Sequence, residues 1–221
     1  MKKDAKQIIV DFLELQRNYQ FTRRKMMTKE RFCDIALKNK DRGLDMADET
    51  IRETLIEHIG HLPILATYLH EYSEHASQIN LGRALIMLAI HDIGETKIGD
   101  VFSFTKTILN EQDELTQARK LLSPALIPYF EEYEEKQTID AKFAKSIDIL
   151  APLLHGMDLI GYTYTRFIEY GGTLETIITR QRPLFLWDQA LLEIFDLCLE
   201  QSSRYEKGEP LLFETAEYDL K

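Results

Sequence analysis

Four residues of this 221-residue chain combine the donor types of a transition-metal centre: His58, His91, Asp92 and Asp148. Each lies on or beside an apolar helical stripe. Leu55, His58, Leu62, Leu65 and Leu69 recur at steps of three, four, three and four, so His58 shares the leucine face. Leu81, Leu85 and Leu88 lead by one more four-residue step onto Asp92, with His91 beside it at the helix end. Ala144, Asp148 and Ala151 share a face flanked by Ile147 and Leu150. An unpaired carboxylate on a buried face costs several kcal/mol, so such a group is paired, hydrogen-bonded or metal-bound. Taken singly, each residue has an ordinary explanation as a core histidine, a cap or a salt-bridge partner. Together, two imidazoles and two carboxylates from three helices form the set with which a bundle holds a divalent transition metal. They leave coordination positions open on a six-coordinate ion. His61 rivals His58 for its place, and His155 and Asp158 rival Asp148.

The elements that must position these groups are all helical. With 10 Gly and 6 Pro there is little turn punctuation, and no alternating strand pattern exceeds a few residues. The spacing predicts helices over Lys6–Gln20 and Lys29–Asn39, then a polar loop over residues 38–43. A long helix follows from an Asp48 N-cap to Tyr72, bent at Gly60 and Pro63. Asn80 caps the next, which runs to about Ile93; Gly94–Asp100 is a break. Further helices are expected over Thr105–Leu122, Pro124–Lys136, Ile139–Tyr170 (with Pro152 and Gly156 as candidate breaks), Leu174–Thr179 and Leu184–Gln201. The expected architecture is one all-α domain, a compact helical bundle spanning residues 1–221.

Composition excludes several classes of function. Hydrophobic residues at 44% and charged residues at 29% fit a globular chain rather than a disordered one. No apolar run approaches a membrane span, and MKKDAKQIIVDFLELQ has acids inside its apolar stretch and no cleavage site for a secretory signal. Cys33 and Cys198 form no disulfide framework or CxxC pair, so a reducing, cytoplasmic setting is expected. With 27 basic and 37 acidic residues the net charge is −10, and the only basic cluster is Arg23-Arg24-Lys25. Binding to a nucleic-acid polymer needs a broad basic face and is not expected, whereas a single nucleotide stays open as a ligand.

The segment LIMLAIHDIGETKIGD, residues 85–100, resembles the signature of the HD-domain phosphohydrolases. In that family an apolar helix runs into His-Asp, then a Glu three residues on, then a Gly-Asp closing the loop. Upstream, Arg52-Glu-Thr-Leu-Ile-Glu-His58 is similar to the family's first metal-histidine helix, and Lys145-Ser-Ile-Asp148 to its distal aspartate, across residues 50–160. Glu95 and Asp100 bring the chain nearest to the small 5′-deoxynucleotidase-like branch. Two features depart from that branch: no Arg-Trp pair precedes the first His, the only Trp being Trp187, and the region before His58 is longer. Gly161-Tyr162 is followed by Thr163, so the Gly-Tyr-Pro motif of the cyclic-dinucleotide branch is absent.

The resemblance implies that His58, His91, Asp92 and Asp148 bind one divalent metal ion, with Mn, Co, Fe, Ni, Zn and Mg all open. It implies that Glu95 orients or deprotonates the attacking water, and that Asp100 contacts the sugar or assists the leaving group. Lys97, Lys106, Arg23 and Arg24 are candidate phosphate contacts. The expected activity is hydrolysis of a small phosphomonoester, a (deoxy)nucleoside 5′-monophosphate, by a protein that the resemblance allows to be a homodimer. The alternatives are an HD-fold phosphodiesterase or nucleoside-polyphosphate hydrolase, and a non-catalytic helical module acting through a partner.

Overall fold

A computed structural model describes residues 4–10, 13, 55–98, 104, 106–157, 160, 164, 167–168 and 171–213. Every regular element among them is helical, as expected. Residues 5–10 form a helical stretch that buries Ala5, Ile8 and Ile9. The remaining helices are α1 (Leu55–His70), α2 (Leu81–Ile90), α3 (Glu95–Ile98), α4 (Ile108–Leu121), α5 (Ile127–Glu135), α6 (Ile139–Met157), α7 (Leu174–Gln181) and α8 (Gln189–Lys207). A 3-10 turn, Arg182–Phe185, separates the last two. The expected Asp48 cap and the helix over residues 29–39 lie outside the described residues.

The central element is α6, which packs against α1, α2, α5, α8 and the 3-10 turn. Its sequence requires this. Ala141, Phe143, Ala144, Ile147, Leu150, Ala151 and Leu154 are all buried, a set too wide for a single amphipathic stripe. Against it lie Leu62, Leu65 and Leu69 of α1, all without exposed surface, and Ala84, Met87 and Leu88 of α2. The α1 helix runs unbroken through Gly60 and Pro63, and α6 runs unbroken through Pro152.

Asn80 caps α2 as the spacing predicts, its Oδ1 accepting from the Arg83 N–H at 3.2 Å. The helix stops at Ile90 rather than Ile93. A turn over residues 91–94 follows, and the Glu95 N–H donates to the Asp92 carbonyl at 3.0 Å. The expected break over 94–100 therefore contains a helical turn, α3. A small second core of Ile90, Ala118, Leu122 and Phe130 holds α4 beside this turn. Gly94 is needed there, because a Cβ at that position would overlap the Glu114 backbone carbonyl.

The C-terminal helix is shifted from its expected 184–201. Pro183 lies in the 3-10 turn, and Asp188 is the true N-cap, its Oδ1 accepting from the Leu191 N–H at 3.0 Å. The helix ends at Lys207, where Gly208 adopts φ 67°.

Candidate metal centre

Three helices deliver the four donor groups to one place. His58 comes from the first turn of the described part of α1, His91 and Asp92 follow the last residue of α2, and Asp148 comes from the middle of α6. His91 is the deepest, with 2% of its side chain exposed; His58, Asp92 and Asp148 are at 17%, 20% and 16%. The leucine stripe on α2 thus continues onto His91 more directly than onto Asp92. His91 extends the buried Ala84, Met87, Leu88 series by one turn, while Asp92 faces the more open side.

The Nε2 atoms of both imidazoles meet the same two carboxylates. His91 Nε2 is 3.0 Å from Asp92 Oδ2 and 3.2 Å from Asp148 Oδ1. His58 Nε2 is 3.6 Å from Asp92 Oδ2 and 3.4 Å from Asp148 Oδ1. The other nitrogen of His91 is committed: Nδ1 lies 2.9 Å from the Leu88 carbonyl, which can only accept, so Nδ1 carries the hydrogen. In the charged ring Nε2 donates to these carboxylates; in the neutral ring its lone pair is the one available to a metal ion.

Asp148 divides its oxygens between two tasks. Oδ1 faces the imidazoles, while Oδ2 accepts from the Tyr133 hydroxyl at 2.8 Å and from Lys145 Nζ at 2.7 Å. Burial raises the Asp148 carboxyl, but Lys145, His91 and His58 outweigh it and hold the group well below the usual carboxylate range. The reciprocal effect falls on the histidines. Burial works against a charged His91, yet Asp148 and Asp92 push its pKa up to about 10, and His58 is raised by the same two carboxylates against the same burial.

Next to the quartet lies a second group of acids. Asp92, Glu95 and Glu114 offer carboxylate oxygens within 4.8 Å of one another. Lys106 is ion-paired with Glu114, and its Nζ is 3.8 Å from Glu95 Oε1. Of the expected phosphate contacts, Lys106 is therefore beside the quartet and already paired, whereas Lys97 is exposed on α3. Asp100, Arg23, Arg24, Asp158 and the His155 side chain lie outside the described residues. His61 does not join the converging donors found among the described residues.

Tyr133 and Glu114 were invisible to spacing arguments. Tyr133 sits in the acidic run Glu131-Glu-Tyr-Glu-Glu135 and reads as a core aromatic. Glu114 sits in a polar helix whose buried residue is Ala118. Only the packing of α5 and α4 against α6 and the 91–94 turn reveals what they touch.

The donor set fits a divalent transition metal. Metal bonds of about 2.0–2.2 Å place neighbouring donors roughly 3 Å apart, which matches the separations between the two imidazoles and the two carboxylates. The hydrogen bonds from His91 Nδ1 and to Asp148 Oδ2 are the outer contacts that orient metal ligands.

A model of the HD domain matches residues 36–171, more than half of the chain. The protein belongs to the HD-domain family. A solved structure of a predicted metal-dependent phosphohydrolase from Magnetospirillum magnetotacticum MS-1 is 29% identical, with a TM-score of 0.59 over 72% of this chain and 84% of that one. No curated protein matches the chain significantly.

Proposed function

We propose that the protein is a metal-dependent phosphohydrolase that cleaves a small phosphomonoester, a (deoxy)nucleoside 5′-monophosphate. The observation that carries the reading is the convergence of His58, His91, Asp92 and Asp148 within 3.0–3.6 Å imidazole–carboxylate contacts. These four would hold one ion. When bound, a divalent ion lowers the pKa of water from about 15.7 towards about 7 and neutralises charge on a phosphoryl oxygen.

The chain's own groups supply the rest. Glu95 lies one helical turn beyond Asp92, with 12% of its side chain exposed, where a carboxylate can take a proton from an attacking water. Lys106 holds Glu95 and Glu114 in place and keeps a positive charge near the incoming phosphate. Asp100, beyond the described residues, would contact the sugar or assist the leaving group.

Charge favours a monophosphate over a polyphosphate. The described cations beside the centre are Lys106 and Lys145, and both already face carboxylates. A dianionic ester asks less of such a site than a triphosphate does. The same shortage of spare positive charge among the described residues bears against a phosphodiesterase acting on a polymer.

Metal content of protein purified without chelator, read with phosphate release from a panel of nucleoside 5′-monophosphates in Mn2+ or Co2+, tests both halves. About one ion per chain with release from some of the panel is expected. Bound metal without release would move the substrate elsewhere in the family; no metal and no turnover would leave a helical module. Glu95→Gln should retain the ion and lose about 10²–10⁴-fold in rate. Loss of metal from that variant would make Glu95 a ligand instead.

A further inference from the structure

The Tyr133 hydroxyl enters the wall of the centre from α5, a helix that supplies none of the four donors. Three short contacts form a closed ring: Tyr133 OH to Asp148 Oδ2 at 2.8 Å, Lys145 Nζ to Asp148 Oδ2 at 2.7 Å, and Lys145 Nζ to Tyr133 OH at 3.2 Å. The hydrogens in this ring are fixed by elimination. An ammonium can only donate and a carboxylate can only accept, so the hydroxyl accepts from Lys145 and must give its single proton to Asp148. The Tyr133 ring also packs on His91, with centroids 5.2 Å apart. It is 2% exposed and belongs to the main core, so it has no freedom to leave.

We propose that Tyr133, acting with Lys145, is a positioning residue that occupies Asp148 Oδ2 and so restricts Asp148 to offering a single oxygen, Oδ1, to the ion. The proposal rests on the metal reading above and adds to it a device for selectivity. An aspartate limited to one oxygen suits a small ion with no more than six ligands. Calcium takes six to eight oxygens and readily accepts both from one carboxylate, so the clamp works against it. Tyr133 touches neither substrate nor ion in this arrangement; it acts through Asp148 and through the His91 ring.

The test is direct binding of Mn2+ and of Ca2+ to the full chain, by titration calorimetry, for wild type and Tyr133→Phe. Phenylalanine keeps the ring in the core and against His91 and removes only the hydroxyl. Wild type should bind one Mn2+ and discriminate against Ca2+. Tyr133→Phe should bind Mn2+ about 10–100-fold more weakly. Its Mn2+/Ca2+ affinity ratio should fall, because a released Oδ2 helps the larger ion. A purely structural role would weaken both ions together and leave the ratio unchanged, and that result overturns the proposal, as does unchanged affinity for both. If Tyr133→Phe fails to fold, the wild-type titrations decide: binding of Ca2+ as tight as that of Mn2+ overturns the proposal. A wild-type protein that binds no Mn2+ overturns the metal reading and the clamp together; wild-type binding with an indifferent variant overturns the clamp alone.

Discussion

At the scale of single residues, the centre is held together without an ion by charge on histidine. Burial opposes a protonated His91, but Asp148 and Asp92 outweigh it and carry the pKa to about 10. The metal-free protein at neutral pH therefore keeps an imidazolium where an ion would otherwise sit, and an incoming ion must expel that proton. Calorimetry of Mn2+ binding in two buffers of different ionisation enthalpy should register release of about one proton or more per ion. Affinity should rise about tenfold per pH unit for each proton displaced, up to about pH 10. Absence of proton release would mean that both histidines are neutral before the ion arrives. The same shift sets a stability window. Because the folded value lies above the ordinary 6.5, His91 stabilises the metal-free fold most fully below about pH 6.5 and loses that contribution as pH rises towards 10. The convergence of His58, His91, Asp92 and Asp148 was legible in the sequence because each puts an ionisable group on or beside an apolar stripe. Tyr133 was not, because a tyrosine among glutamates at helical spacing reads as ordinary core until the packing of α5 on α6 shows its hydroxyl 2.8 Å from Asp148.

At the scale of elements, the site depends on junctions as much as on helices. The largest is built on Asp188, which has no exposed surface. It caps α8 through Oδ1, and its Oδ2 accepts from Ser73 Oγ at 2.5 Å, the Glu74 N–H at 3.0 Å and His75 Nδ1 at 3.3 Å. One carboxylate thus ties α8 to the link between α1 and α2. Asp188→Ala removes a cap and leaves several inward-facing donors without an acceptor, so a loss of about 3–5 kcal/mol is expected from urea denaturation. Asp188→Asn, which keeps an acceptor for Leu191, should lose less. The 91–94 turn is the other junction: Gly94→Ala should force the turn off α4 at a cost of about 1–3 kcal/mol. It should also lower phosphate release by moving Glu95 relative to the quartet. Helices α1 and α2 were readable because their apolar residues recur at 3.6-residue spacing, and α6 because its apolar residues surround it on more than one face. The start of α8 was misplaced because Leu184 to Trp187 is apolar enough to extend the pattern. The decision lay in Pro183 and in the Asp188 cap, whose partners Ser73, Glu74 and His75 are more than a hundred residues away in sequence.

At the scale of the whole molecule, the centre is a fastening. Its donors come from α1, α2 and α6, which are separate in sequence and share the main core, so an ion bound by all of them stabilises the fold as its free concentration rises above Kd. Mass action gives about 2.7 kcal/mol when free ion stands at 100 times its Kd. For a chain of this size, each kcal/mol moves Tm by about 2–4 °C. Saturating Mn2+ should therefore raise Tm by about 5–10 °C over protein stripped with EDTA, and restoring Mn2+ after stripping should recover the shift. Asp92→Ala should abolish the Mn2+ effect while leaving a folded metal-free protein, since Asp92 lies at the open side of the site and the core beneath it is apolar. A variant that retained the full shift would remove Asp92 from the ligand set. The shift should also be larger at pH 8 than at pH 6. The imidazolium of His91 bridges Asp92 and Asp148 in the stripped protein at both pH values and competes with the ion. At pH 8 that proton is released more readily than at pH 6, so the ion's Kd is lower and its stabilisation of the fold larger.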